Sequence, residues 1–374
     1  MNRTRLESHP LAQIDVAAAA AMQFRLVDAI RRRIDGWSIL SDGDRGIRPG
    51  LGRPERTAAV EAALADFFAA PAAALVRGAG TGAIRAACES LLPPRPVVLV
   101  HAAPIYPTTL ATLTALGADI RTVDFHDQPA LTEAARHADG AIIQHARQLL
   151  TDSYALADVI AALRRGKADL PLISDDNYVV LKVPAVGVQL GATVSTFSTF
   201  KLLGPEGIGC VVGDAAVIDA IHRRNYSGGT QVQGPEAMAV LRGMVYAPVA
   251  FALQAGVVDE VARRLAAGEV DGVAGALVAS AQSRVILVEF AAPIAARVLE
   301  AAPRFGAAPQ PIGAESRYEL APMFYRISGT MLQGQPELGQ RLIRINPMRA
   351  GADTVLDILR RSVAAAHTSV ENEA

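Results

Sequence analysis

Short apolar runs alternate with helical stretches from about residue 55 to residue 225. Residues 74–76, 97–100, 120–123, 141–144, 171–174, 193–197 and 209–212 have the length and apolar continuity of buried strands. Between them the spacing predicts helices from near Gly82 and over 108–116, 130–137 and 156–165. Repetition of strand, helix and strand predicts a mostly parallel, doubly wound sheet. Ligands of such sheets bind beyond the carboxyl ends of the strands. After about residue 265 the pattern changes, and 285–290, 323–327 and 342–345 read as strands, with a closing helix over 353–366. The expected fold class is α/β: a large doubly wound, mostly parallel sheet domain over 46–265 and a smaller α+β C-terminal domain over 266–374. Residues 1–45 read as a helical arm that joins the small domain or a partner subunit.

Charge and composition narrow the function. Lys plus Arg number 36 and Asp plus Glu 37, without the basic excess of a nucleic-acid binder. The most apolar region, 243–258, contains Pro248 and Gln254 and reads as a buried helix pair; no uninterrupted apolar run of membrane-spanning length occurs. The N-terminal residues lack the layout of a signal peptide. Cys88 and Cys210 lie in apolar surroundings and read as core, and no CxxC or HExxH pattern suggests a metal. A cytoplasmic protein with neither nucleic-acid nor membrane partners is expected.

Four features fall at strand ends. Gly78-Ala79-Gly80-Thr81-Gly82 follows a strand and opens a helix; glycines let backbone N–H groups approach an anion, and the helix dipole favours it. Such a run is also common in ordinary turns. Asp175, ending a strand, can hold a pyridinium N–H, or it can simply cap a loop. Lys201 follows an apolar, hydroxyl-rich strand; a sheltered lysine can form an imine with an aldehyde. Ser198, three residues earlier, suits a phosphate. Arg344, between apolar strand residues, suits a substrate carboxylate or a structural ion pair. Asp42-Gly43-Asp44-Arg45-Gly46 is a candidate for lining a substrate entrance.

As an ordered set these motifs resemble the fold-type I pyridoxal phosphate (PLP) enzymes, the aspartate aminotransferase superfamily. Gly80-Thr81-Gly82-Ala83-Ile84-Arg85 is similar to that family's Ser-Gly-Thr-Gly-Ala-Leu-Arg phosphate cup, Asp175 to Tyr178 to its D-x-x-Y, Ser198 to Lys201 to its S-x-x-K, and Arg344-Ile345-Asn346 to its R-V-N. Across nearly the whole chain the sequence looks closest to the YhfS-like branch, described as class V-type aminotransferases. That resemblance rests on residues 78–85, 104–109, 200–207 and 226–231.

The resemblance implies the type I PLP-dependent transferase fold, with PLP bound to Lys201. Its phosphate would be held by Gly80, Thr81, Gly82 and Ser198, and its ring by a stacked Tyr106 and by Asp175, with Asp176 the second candidate for the ring nitrogen. Tyr226 and Gly229 would reach a neighbouring subunit's cofactor in a homodimer with a shared active site. Where many members carry Asn-Pro, with the Asn bonded to the ring's phenolic oxygen, this chain has Gln144, His145 and Arg147, and the resemblance leaves open which of the three takes that role; His145 and Arg344 are the residues expected to face the small-molecule amino substrate. The activity implied first is aminotransfer. The alternative is elimination by a β/γ-lyase of ammonia or C–S type, and a third reading is a PLP-fold binding protein without turnover.

Overall fold

The structure is a computed structural model describing residues 7–226, 229–281, 283–308, 315–327 and 337–371. The chain divides into two compact units. One holds residues 16–146 and 154–249; the other holds the residues before 16, 147–153, and those from 250 onward.

The first unit begins with α1 (Val16–Arg33), α2 (Glu55–Phe68), β1 (Ala72–Arg77), α3 (Ala79–Leu91) and β2 (Val97–His101). It continues through α4 (Pro107–Ala115), β3 (Asp119–Val123), α5 (Gln128–Ala135), β4 (Gly140–Gln144), α6 (Leu156–Gly166) and β5 (Leu172–Asp175). Then come β6 (Val194–Ser198), β7 (Ile208–Gly213), α7 (Ala215–Arg224) and the start of α8 (Gly234–Ala266). The strand order is β1-β7-β6-β5-β4-β2-β3, parallel except for β7, which runs antiparallel to both neighbours. Successive residues along a strand feed opposite layers. Val98, Ile142, Ile173 and Val194 pack with α3, while Leu99, Ala141, Ile143 and Leu172 pack with α5 and α6. Burial on both faces is what makes these strands read as continuous apolar runs.

Three expectations are corrected. α1 packs on α2 within the large unit, burying Ala19, Met22, Leu26, Ala29 and Ile30, so the N-terminal 45 residues are not one arm. The boundary between units falls inside α8, not at 265, because 243–258 belongs to one continuous 33-residue helix instead of a helix pair. Pro248 removes one backbone hydrogen bond, yet burial of Met244, Ala247, Phe251 and Ala252 on either side carries the helix through. By length and composition α8 could cross a membrane, but half of the apolar window is buried within the protein, as in a core helix.

The second unit holds a four-stranded antiparallel sheet, ordered β10-β11-β9-β8. Its strands are β8 (Val273–Ala281), β9 (Ser283–Phe290), β10 (Met323–Arg326) and β11 (Leu342–Asn346). Short helices α9 (Ala295–Ala301) and α10 (Leu338–Arg341) precede the closing α11 (Ala352–Glu371). Ile286, Val288, Ile343 and Ile345 pack there with Val355, Leu356 and Leu359.

Candidate active site

β4, β5 and β6 end together, Gln144 lying beside Asp175 and Asp175 beside Thr196. Beyond β6 the chain makes a tight turn: the amides of Leu202 and Gly204 both return to the Thr199 carbonyl, and Leu203 adopts a left-handed φ of 62°. α8 packs directly on this turn at Gly243, where any Cβ would collide with the Leu203 carbonyl. The turn presents Lys201, whose Nζ donates to Asn177 Oδ1 at 3.2 Å and stands 3.8 Å above the Tyr178 ring.

Asn177 ties the site together. Its Oδ1 also accepts from the Ser198 amide at 3.0 Å, and its Nδ2 and backbone N donate to Asp175 Oδ1 at 2.7 and 3.1 Å. A Cβ on Gly80 would lie 2.5 Å from Asn177 Oδ1. Burial pushes the Asp175 carboxyl above its ordinary range, against the lowering effect of Asn177's two hydrogen bonds and of Lys201's charge. The sequence reading missed Asn177, although its place two residues after Asp175 is the spacing of a local side-chain-to-backbone turn.

Between β1 and α3, Gly78 and Ala79 have φ of 94° and 54° and both donate their amides to the Gly207 carbonyl. Gly82 donates to Gly78. With the Ala79 amide spent on Gly207, the amides of Gly80 and Thr81 are the ones in the first turn of α3 left without a backbone acceptor among the described residues. The Thr81 hydroxyl bonds Thr108 Oγ1 at 3.1 Å, joining the starts of α3 and α4. Tyr106 caps α4 with 41% of its surface exposed. Ser198 Oγ is buried (the residue is 2% exposed) and has no hydrogen-bond partner among the described residues.

His145 and Asp176 form a second buried pair, with Nδ1 to Oδ1 at 2.7 Å; the Gly187 amide also donates to Asp176 at 3.2 Å. Asp176 is thus engaged away from Lys201, while Gln144 Nε2 reaches the Ala146 carbonyl and Arg147 Nε the His9 carbonyl. Of the residues expected to line an entrance, Asp44 has a structural task. Asp44 accepts from the amides of Glu55 and Arg56 at 2.7 and 2.8 Å and so caps α2.

Ser227 and Gly228 of the glycine-rich loop lie outside the described residues. Tyr226 is 65% exposed, and beyond Gly229 a bridge joins Gln231 to Val76 of β1. In the second unit, Arg344 is buried opposite Tyr325 across the β11–β10 pair. Its Nε donates to the Arg326 carbonyl at 2.8 Å and its guanidinium lies 4.2 Å from the Tyr325 ring centre.

A primary amine, a buried carboxylate held by amide donors, two free helix amides and an unpartnered hydroxyl make a donor set that fits a phosphorylated pyridine aldehyde.

Comparison with known proteins agrees with this chemistry. Residues 259–359 match the family model of the YhfS-like C-terminal domain. The uncharacterized protein YhfS of Escherichia coli K12 is 52% identical over 361 residues, covering 96% of this chain and 99% of that protein. A crystal structure of E. coli YhfS, described as pyridoxal-5′-phosphate dependent, superposes with a TM-score of 0.94. More distant likenesses concern the fold alone. A methionine γ-lyase of Micromonospora echinospora is 18% identical with a TM-score of 0.71, covering 92% of this chain and 98% of that one. A yeast cystathionine γ-lyase is 13% identical with a TM-score of 0.69, at the same coverage. With half of its residues identical to YhfS over nearly the full length of both, the chain belongs to the YhfS-like family, on the fold of the type I pyridoxal-phosphate enzymes.

Proposed function

We propose that the protein is a PLP-dependent lyase acting on a β- or γ-substituted amino acid, with Lys201 as the residue that carries the cofactor. The observation that carries the reading is the cluster of Lys201, Asn177 and buried Asp175, with Ser198 and Gly80 packed on the same amide. When bound, PLP supplies an aldehyde for a substrate amine and a ring that accepts electrons.

The chain's residues divide the remaining work. The amides of Gly80 and Thr81 and the Ser198 hydroxyl hold the phosphate, and Gly82 lets the backbone turn tightly beneath it. Asp175 keeps a proton at the ring nitrogen, and Tyr106 covers the ring. Arg344 binds the substrate carboxylate, and His145, its tautomer set by Asp176, lies on the substrate side. Lys201 takes the proton from the substrate α-carbon as general base. A second copy of the chain contributes Tyr226 and Gly229, and the homodimer works in the cytoplasm. The exposed Trp37, Leu40 and Tyr246 offer apolar surface for that pairing.

The motif order alone points first to an aminotransferase. The lyase reading takes precedence because the solved structures of similar fold include a methionine γ-lyase and a cystathionine γ-lyase. The test begins with borohydride reduction of the PLP-loaded protein and peptide mapping, which is expected to mark Lys201. The protein is then given β- and γ-substituted amino acids with no amino acceptor. Release of keto acid and ammonia is expected. Conversion of the cofactor to its pyridoxamine form without ammonia would replace the lyase reading with aminotransfer, and an unmarked Lys201 would overturn both.

A further inference from the structure

Asn177 touches four separately recognised parts of the site: Gly80, Asp175, Ser198 and Lys201. The amide can face only one way. Its acceptor oxygen meets two donors, Lys201 Nζ and the Ser198 N–H, and its NH2 group meets the Asp175 carboxylate. Turning the amide over would set N–H against N–H and oxygen against oxygen. With both ends matched, the side chain is locked, and it locks the residues it touches.

We propose that Asn177 is a positioning residue for the cofactor ring, holding Asp175 as a carboxylate able to keep the ring nitrogen protonated while fixing Lys201 beside it. The inference rests on the functional reading of Asp175 and Lys201 given above. An ionised carboxylate can hold a pyridinium; a neutral carboxyl cannot do so with the same force. The surroundings press Asp175 toward the neutral form. It is buried, and Asp176 follows it in the chain with a second buried carboxylate. Against this stand the two Asn177 donors and the charge of Lys201, while His145 faces Asp176. The β4 and β6 neighbours of Asp175 in register, Gln144 and Thr196, bring no charge. Asn177's side-chain N–H is therefore the neutral group that most directly favours the ionised state. The absence of a side chain at position 80 follows from the same geometry, since a methyl group there would displace the amide.

The experiment reads the ring nitrogen directly. Wild type, Asn177→Ala and Gly80→Ala are loaded with 15N-labelled pyridoxal phosphate, and nitrogen NMR at neutral pH reports protonated against unprotonated ring nitrogen. Losing one hydrogen bond to a charged group is expected to lower that ratio about tenfold in Asn177→Ala, equivalent to about 1.4 kcal/mol. Gly80→Ala, in a helix that tolerates alanine, is expected to shift the ratio in the same direction by moving the amide. A merely structural role would lower stability without moving this signal. If both variants bind the cofactor and keep the wild-type ratio, the assignment of Asn177 is overturned while the site stands. If wild type takes up no cofactor on Lys201, the site reading and this inference fall together.

Discussion

Replacing Glu61 with glutamine is expected to remove a pronounced pH dependence of folding stability. Glu61 lies in α2 with 3% of its surface exposed; Oε1 accepts the Leu75 amide at 2.9 Å and Oε2 accepts Arg53 Nε at 2.7 Å. Burial pushes its carboxyl from 4.5 up to about 7, despite Arg53. His222 does not supply a balancing charge: its Nε2 is 3.6 Å from Glu61, and burial followed by the Arg53 charge pushes it down to about 4. Because the folded carboxyl holds its proton more tightly than the unfolded one, its contribution to stability is complete below pH 4.5 and is lost as the pH rises to about 7. At about 1.4 kcal/mol per unit the whole span is worth about 3 kcal/mol, of which about 2 falls between about pH 5.5 and about pH 7.5. Glutamine keeps an acceptor for the Leu75 amide and cannot titrate. Urea unfolding of both proteins at those two pH values isolates the effect as a difference of differences. Equal pH dependence in wild type and Glu61→Gln would refute the reasoning and show that Arg53 fully compensates the buried charge.

Ser198→Ala is expected to weaken PLP binding about tenfold, the loss of one hydrogen bond to a charged group, with little change in folding stability because Ser198 Oγ bonds nothing else among the described residues. Fluorescence titration with PLP and thermal melting of the cofactor-free protein check the two halves. Gly187→Ala places a methyl against the Ser174 side chain and 3.3 Å from Asp176 Oδ2. It is expected to destabilise the protein by about 1–3 kcal/mol, measured by urea unfolding; an unchanged midpoint would show that the turn after β5 yields freely.

Strands buried on both faces were legible in the sequence because apolar continuity over four or five residues leaves little else for a segment to be. β8 was missed because Val-Ala-Gly-Ala-Leu-Val-Ala-Ser-Ala carries neither alternation nor a β-branched run, and its strand character comes from pairing with β9. α8 was divided in reading because proline is a local signal, whereas the burial that carries the helix past Pro248 is tertiary. The antiparallel β7 inside a parallel sheet was likewise invisible, since direction depends on the connection and not on the strand's own residues. At the site, Lys201, Asp175, Ser198 and the Gly78–Gly82 turn were legible as residue types at strand ends. Asn177 was not, because its importance lies in joining the turn after its own strand to Gly80 and to the Ser198–Lys201 segment, both distant in sequence. The capping role of Asp44 was hidden for a related reason: its acceptors serve a helix that begins eleven residues later.

The two borders of the seven-stranded sheet are finished differently, and this bears on how the protein behaves in a crowded solution. An open strand edge is a template on which another chain can add a strand. At one border, β3 is lined with exposed charge, Asp119 pairing with Arg121 at 2.9 Å, which disfavours a neighbouring strand. At the other, the outward amide of Leu75 on β1 is already taken by the Glu61 carboxylate, and Val76 is bridged by Gln231. The carboxylate that costs stability above neutral pH thus also closes the sheet against intermolecular extension. Loss of the α2 side chain at that position exposes a sticky edge in an otherwise folded protein, a route to aggregation that needs no unfolding.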